Sequence, residues 1–158
     1  MKSKPSRKTS AGSGEQHTAP QISRRTLRVT FEYNGGEFRI ANQMRVEKIT
    51  PPTMTPCPDA ATAAGYWVEL RDRRGRCLFH RLLPDAIRDS AEIYPGKNQL
   101  ARTPLRQVAG RFEVLLPDLP EADSVVIMGH PVSSEGLKQH QRARVLAKFK
   151  IGKDGLAK

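Results

Sequence analysis

From residue 27 onward apolar residues alternate with polar ones, and Gly- or Pro-rich breaks interrupt the alternation about every ten residues. This period of two constrains the fold more than any other feature, because it fits a half-buried strand and no helix. Leu27, Val29, Phe31 and Tyr33 alternate with Arg28, Thr30 and Glu32. Asn34, Gly35 and Gly36 follow, and Asn and Gly accept the positive φ that a tight hairpin turn demands. Phe38, Ile40, Met44 and Val46 then share one parity, with Asn42 as a polar interruption. That pattern predicts one long second strand, or two strands joined at a bulge near 41–43.

Four prolines within 50–65 rule out a central strand there and predict a loop, with one helical turn near Ala60–Ala64. Beyond it, Tyr66, Val68 and Leu70 lie on one face and Trp67 and Glu69 on the other. Asp72-Arg73-Arg74-Gly75 is a turn by composition, and Cys77, Phe79 and Leu83 resume the alternation, so 66–83 reads as a β-hairpin. Residues 84–110 are less regular and suggest a short edge strand near 91–94 and an irregular one within 99–110. Phe112, Val114 and Leu116 alternate again, and Val125–Met128 is a continuous apolar run, as in a central strand covered on both faces. Ala143, Val145, Ala147, Phe149 and Ile151 recur at period two. Helical spacing gives Leu137, Arg144 and Lys148, which is no apolar stripe. A closing strand over 143–151 is therefore expected, with a short helix before it.

These segments predict an all-β chain: a single antiparallel β-sandwich of about seven or eight strands over 24–151. Residues 1–23, rich in Ser, Thr, Lys, Gly and Pro, read as a disordered basic tail, and 152–158 as a C-terminal tail. The passage FEVLLPDLPEADSVVIM, a strand, an apolar corner and a second strand, resembles the later strands of immunoglobulin-like and fibronectin type III-like sandwiches. The resemblance covers roughly 24–151 and is one of architecture. It implies adhesion, scaffolding, assembly or substrate-binding roles and transfers no activity. Trp67 does lie between Cys57 and Cys77, but the spacings are far too short for the antibody arrangement.

The net charge of +11 is carried mainly by the ends. Residues 24–130 hold sixteen Lys and Arg against thirteen acids, whereas 1–23 hold four against one and 131–158 seven against two. Such ends suit attachment to acidic protein surfaces or phosphate, or simply keep the chain soluble. No apolar run reaches the about 18–20 residues of a membrane span, and the N-terminus shows no apolar signal region. The expectation is a cytoplasmic protein, with export by a route that uses no such signal as the alternative, and two free thiols at Cys57 and Cys77 as the default over a bridge between them.

Motifs that carry chemistry are missing. His17, His80, His130 and His140 have no metal-ligand spacing, and Ser133 and Ser134 sit in no nucleophile elbow. There is no phosphate-binding glycine loop and no CxxC, and acidic residues are scattered singly. No enzyme, cofactor or metal is expected. Trp67 reads as a core or inter-sheet residue beside Tyr66 and Phe79 rather than as a stacking platform, since aromatics are only 6% of the chain.

The expected function is a non-catalytic interaction or assembly module that binds a larger protein partner, with the basic ends aiding attachment. The alternative is a nucleic-acid-associated protein that neutralises phosphates with its tails and an Arg-rich hairpin tip over 71–76. The candidate binding residues are Arg71, Arg73, Arg74, Arg76, Lys148 and Lys150.

Overall fold

In the computed structural model, the described residues are 23–53, 55–84, 86–88, 90–96, 99–104, 108–131, 142–152 and 155–157. All ten elements among them are strands: β1 (Thr26–Asn34), β2 (Glu37–Val46), β3 (Trp67–Asp72), β4 (Cys77–Leu82), β5 (Ser90–Gly96), β6 (Gln99–Pro104), β7 (Ala109–Pro117), β8 (Ala122–Gly129), β9 (Arg144–Gly152) and β10 (Gly155–Ala157). Eight of them form two antiparallel sheets, ordered β2-β1-β7 and β10-β9-β8-β3-β4, and β5 and β6 make a separate hairpin. The protein is thus an all-β sandwich. The expected tail over 1–23 lies outside the described residues except for Ser23, as do Ser133, Ser134, His140 and the short helix expected before 143.

Alternation explains how the two sheets meet. Leu27, Val29 and Phe31 of β1, Phe112, Val114 and Leu116 of β7, and Val68, Leu70, Val125, Ile127 and Phe149 of the larger sheet share one buried core. Phe31 lies between two aromatic neighbours, 5.4 Å from Phe112 and 5.3 Å from Phe149 between ring centroids. The offset, tilted arrangement is the one aromatic quadrupoles favour. The expected closing strand is β9, with Phe149 at 1% exposure. Gly155–Ala157, read from sequence as tail, adds β10 to its edge.

The bulge expected near 41–43 is present, within one continuous β2, and it changes the parity of the residues beyond it. Phe31 pairs with Ile40, but Thr30 pairs with Asn42, which leaves Ala41 as the extra residue of a bulge. Beyond it, Gln43 and Arg45 stand opposite inward-facing Val29 and Leu27, and Met44 stands opposite Arg28. A one-residue insertion exchanges the two faces of a strand, so Met44 is 44% exposed instead of buried.

The outer face of the five-stranded sheet is also covered. The described residues of the connection 47–66, a strap after β2, cross this face. Its single turn is organised by Asp59, whose carbonyl accepts from the Thr62 and Ala63 amides and whose Oδ1 accepts from the Ala61 amide. The small side chains Ala60 and Ala63 pack on Trp67, Val126 and Met128, and the Ala143 amide donates to the Ala60 carbonyl. Trp67 is therefore fully buried, but beneath the strap rather than between the sheets. This burial on both faces is why Val125–Met128 reads as an unbroken apolar run.

The strap also corrects the cysteine expectation. Cys57 and Cys77 form a disulfide, with Cα atoms 6.4 Å apart, so neither is a free thiol. The expectation of free thiols rested on compartment alone. The bridge arises because the proline-rich strap returns Cys57 to the first residue of β4.

Candidate functional site

The arginine-rich tip has a full local explanation. The Asp72 amide donates to the Arg76 carbonyl and the Gly75 amide to the Asp72 carbonyl, with Gly75 at φ 80°. This is a three-residue hairpin loop that closes through a left-handed glycine, a conformation costly for any residue with a Cβ. Asp72 Oδ1 accepts from the Arg74 and Arg76 amides, and Oδ2 accepts from Arg76 Nε at 2.7 Å. Burial alone would raise the Asp72 carboxyl, but these bonds from Arg76 and Arg74 hold it below its usual range.

Arg71 is not part of the tip. It stands on β3, where its Nε donates to Glu69 Oε2 at 2.6 Å. Trp67 Nε1 donates to the other carboxylate oxygen of Glu69 at 2.7 Å. Trp67, Glu69 and Arg71 thus form one hydrogen-bonded row on the outer face, in which the buried carboxylate has a partner on each oxygen. Arg71 and Lys150 both stand opposite Ser124 in register, on its two sides, and Lys148 stands opposite Val126. Lys150 is paired with Asp123 at 3.0 Å. Of the six candidates, Arg71, Arg76 and Lys150 are engaged in ion pairs, whereas Arg73, Arg74 and Lys148 are exposed and make none with any described residue. The six do not form one cluster: three lie at the loop and three along the outer face.

The outer face of the smaller sheet is similarly self-neutralised. Arg28 pairs with Glu113 at 2.6 Å, and Glu32 takes Arg111 at 2.8 Å and Arg39 beside it. The hydrogen bond from Arg111, reinforced by Arg39, keeps the Glu32 carboxyl below its ordinary value.

One opening lies where β4 and β7 flank the side of the sandwich. It is a cleft of about 570 Å³. The strap forms one wall with Ile49, Pro52 and Pro56, and the end of β7 and the corner after it form the other with Pro117 and Leu119. Leu78 and Phe79 line it between these walls, and so do both sulfur-bearing residues of the disulfide. Two threonines pin the strap to β4: Thr53 Oγ1 donates to the His80 carbonyl at 2.5 Å, and Thr55 Oγ1 lies 3.2 Å from His80 Nε2. Arg81 adds a bond to the Pro51 carbonyl at 2.6 Å. His80 is buried and stands opposite Glu69. Burial pushes its pKa down, the nearby Glu69 pulls it up, and Arg81 lowers it further.

Sequence reasoning did not find this cleft. The signal was present in TPPTMTPCPD, where prolines surround a cysteine, but no periodicity says which surface such a loop covers. Among the described residues no group of three His, Cys, Asp or Glu side chains is placed to hold a metal ion. No helix among them is long and apolar enough to cross a membrane. The chain matches no protein-family model, and no curated protein or solved structure shows significant similarity to it.

Proposed function

We propose that the protein is a non-catalytic β-sandwich module that binds a protein partner, and that the partner inserts an apolar side chain or loop into the cleft beside the disulfide. The observation that carries this reading is the contrast between that cleft and the rest of the described surface. Charges on both outer faces are largely paired with one another, while the cleft exposes Ile49, Pro52 and Pro56 beside the half-buried Leu78 and Leu119. Ile49 is 57% exposed and stands beside Pro52 and Pro56 in the cleft wall, so its apolar surface is part of a continuous lining rather than a lone exposed side chain. Prolines also lack amide donors, so these walls ask for apolar contact and few hydrogen bonds.

The immunoglobulin-like likeness supports a binding role at the level of the larger sheet only. Its order β9-β8-β3-β4 is that of strands G, F, C and C′ in such folds. The smaller sheet differs, because its central strand is the first of the chain and not the second. The disulfide adds a reading of compartment: bridges of this kind persist where thiols are oxidised, which favours export or a cell-surface setting over the cytoplasm.

The test is affinity purification from the native cell with the natural chain and with Ile49→Asp. Ile49 is exposed, so the substitution leaves the fold intact. A protein retained by the natural chain and lost by the variant is the expected result. Identical retention by both would remove the cleft from the account. Recovery of nucleic acid alone, lost steeply as salt rises, would favour the phosphate-binding alternative.

A further inference from the structure

One feature of the outer face has no role in the sandwich core. Leu82, Trp67, Met128 and Val145 stand in a single row across β4, β3, β8 and β9. The two ends of the row are open, with Leu82 at 56% and Val145 at 48% exposure, while Trp67 and Met128 in its middle are buried. What covers the middle is the strap, and it does so with alanines. A cover of methyl groups holds on weakly by itself, because adhesion scales with the apolar area it removes from water. The strap is held instead by bonds to β4, by the Ala143 amide, and by one covalent link, Cys57–Cys77. Both cysteines line the open cleft, so a small reductant reaches the bridge without unfolding the chain.

We propose that this bridge is a redox latch: its reduction frees the strap and uncovers an apolar belt centred on Trp67. A dithiol supplies the two electrons. Its thiolate attacks one sulfur of the bridge and breaks the S–S bond. The mixed disulfide that results is resolved by the second thiol of the reductant, which leaves as a cyclic or protein disulfide. Cys57 and Cys77 each gain a proton and become thiols. The strap is then held at β4 by hydrogen bonds alone, while β3 stays paired in the sheet. The inference does not depend on the partner reading, since it concerns the chain alone and is read without any ligand.

Trp67 is the only tryptophan, so its fluorescence reports on the strap directly. The experiment compares the full chain before and after treatment with dithiothreitol, measuring Trp emission, acrylamide quenching, far-ultraviolet circular dichroism and amide exchange. A latch predicts a red shift and several-fold stronger quenching on reduction, with the β-sheet spectrum retained. It also predicts that the Ala143 amide, which donates to the strap, exchanges at least about tenfold faster, while the β8 amides of Val126 and Ile127 keep their protection. Cys57→Ser should show the reduced-state signals with or without dithiothreitol. Unchanged quenching and Ala143 exchange in the reduced protein would overturn the proposal, because the strap would then hold without the bridge. Loss of the sheet spectrum and of β8 protection together would also overturn it, making the disulfide a staple of the whole fold.

Discussion

Replacing Phe149 by alanine tests the closing strand and the core in one step. The ring is 1% exposed and stacks at a tilt on Phe31, 5.3 Å away, while Val125 stands opposite it in register. Deleting a buried Phe to Ala costs about 3–5 kcal/mol through lost transfer energy and the cavity left behind. The lost aromatic pair, worth about 0.5–1.5 kcal/mol, pushes toward the upper end. For a chain of this size each kcal/mol moves Tm by about 2–4 °C, so a fall of roughly 6–20 °C is expected. Urea unfolding followed by far-ultraviolet circular dichroism measures the loss directly, with an unchanged slope as the check that the unfolded state is the same. Val145→Ala on the same strand is the control. That side chain is 48% exposed and should cost about 0.5 kcal/mol or less. If Phe149→Ala cost under about 1 kcal/mol, or no more than Val145→Ala, β9 would not close the core and the assignment of its two faces would be wrong.

Glu69→Ala leaves Trp67 Nε1 without its buried acceptor and Arg71 without its carboxylate; a loss of about 2–3 kcal/mol in urea melts is expected. Gly129→Ala would put a methyl group 2.2 Å from Tyr66 Cδ1, and the forced shift of that ring should cost about 1–3 kcal/mol, read as a lower denaturation midpoint. Changing Arg73 and Arg74 together to Ser should alter stability by under about 1 kcal/mol, since both are exposed and unpaired with described residues; a larger loss would mean the tip is held by them. The His80 pKa is lowered in the fold, so the folded state resists protonation that the unfolded chain accepts. Stability from this site is therefore complete above the ordinary histidine value of about 6.5 and falls as pH drops below it. Melting curves of His80→Gln should lose part of that acid slope.

The strand parities on both sides of the hairpin turns were legible because each sheet buries one face, and period two is then written into the sequence. Val125–Met128 was legible as a central strand for the complementary reason: both of its faces are covered. The bulge near 41–43 was legible from the polar interruption at Asn42, but the outward turn of Met44 was not, because the shared parity of Ile40 and Met44 hides the one-residue shift that Ala41 introduces. Arg71 looked like part of a basic tip because sequence counts charges and cannot show that Glu69, two residues earlier on the same face, already holds it. The cleft and the disulfide were hidden for one shared cause. Both arise from where the strap lands after β2, a matter of packing between distant segments that leaves no local period.

The cleft as a docking site is tested most directly by placing a photoreactive side chain at position 49 and, as control, at position 39. Ile49 lines the cleft, whereas Arg39 is 75% exposed on the opposite sheet. Irradiation in the native cell should yield a covalent adduct with one protein from position 49 and none from position 39. Equal adducts from both positions, or an adduct from position 39 alone, would contradict the cleft as the binding surface.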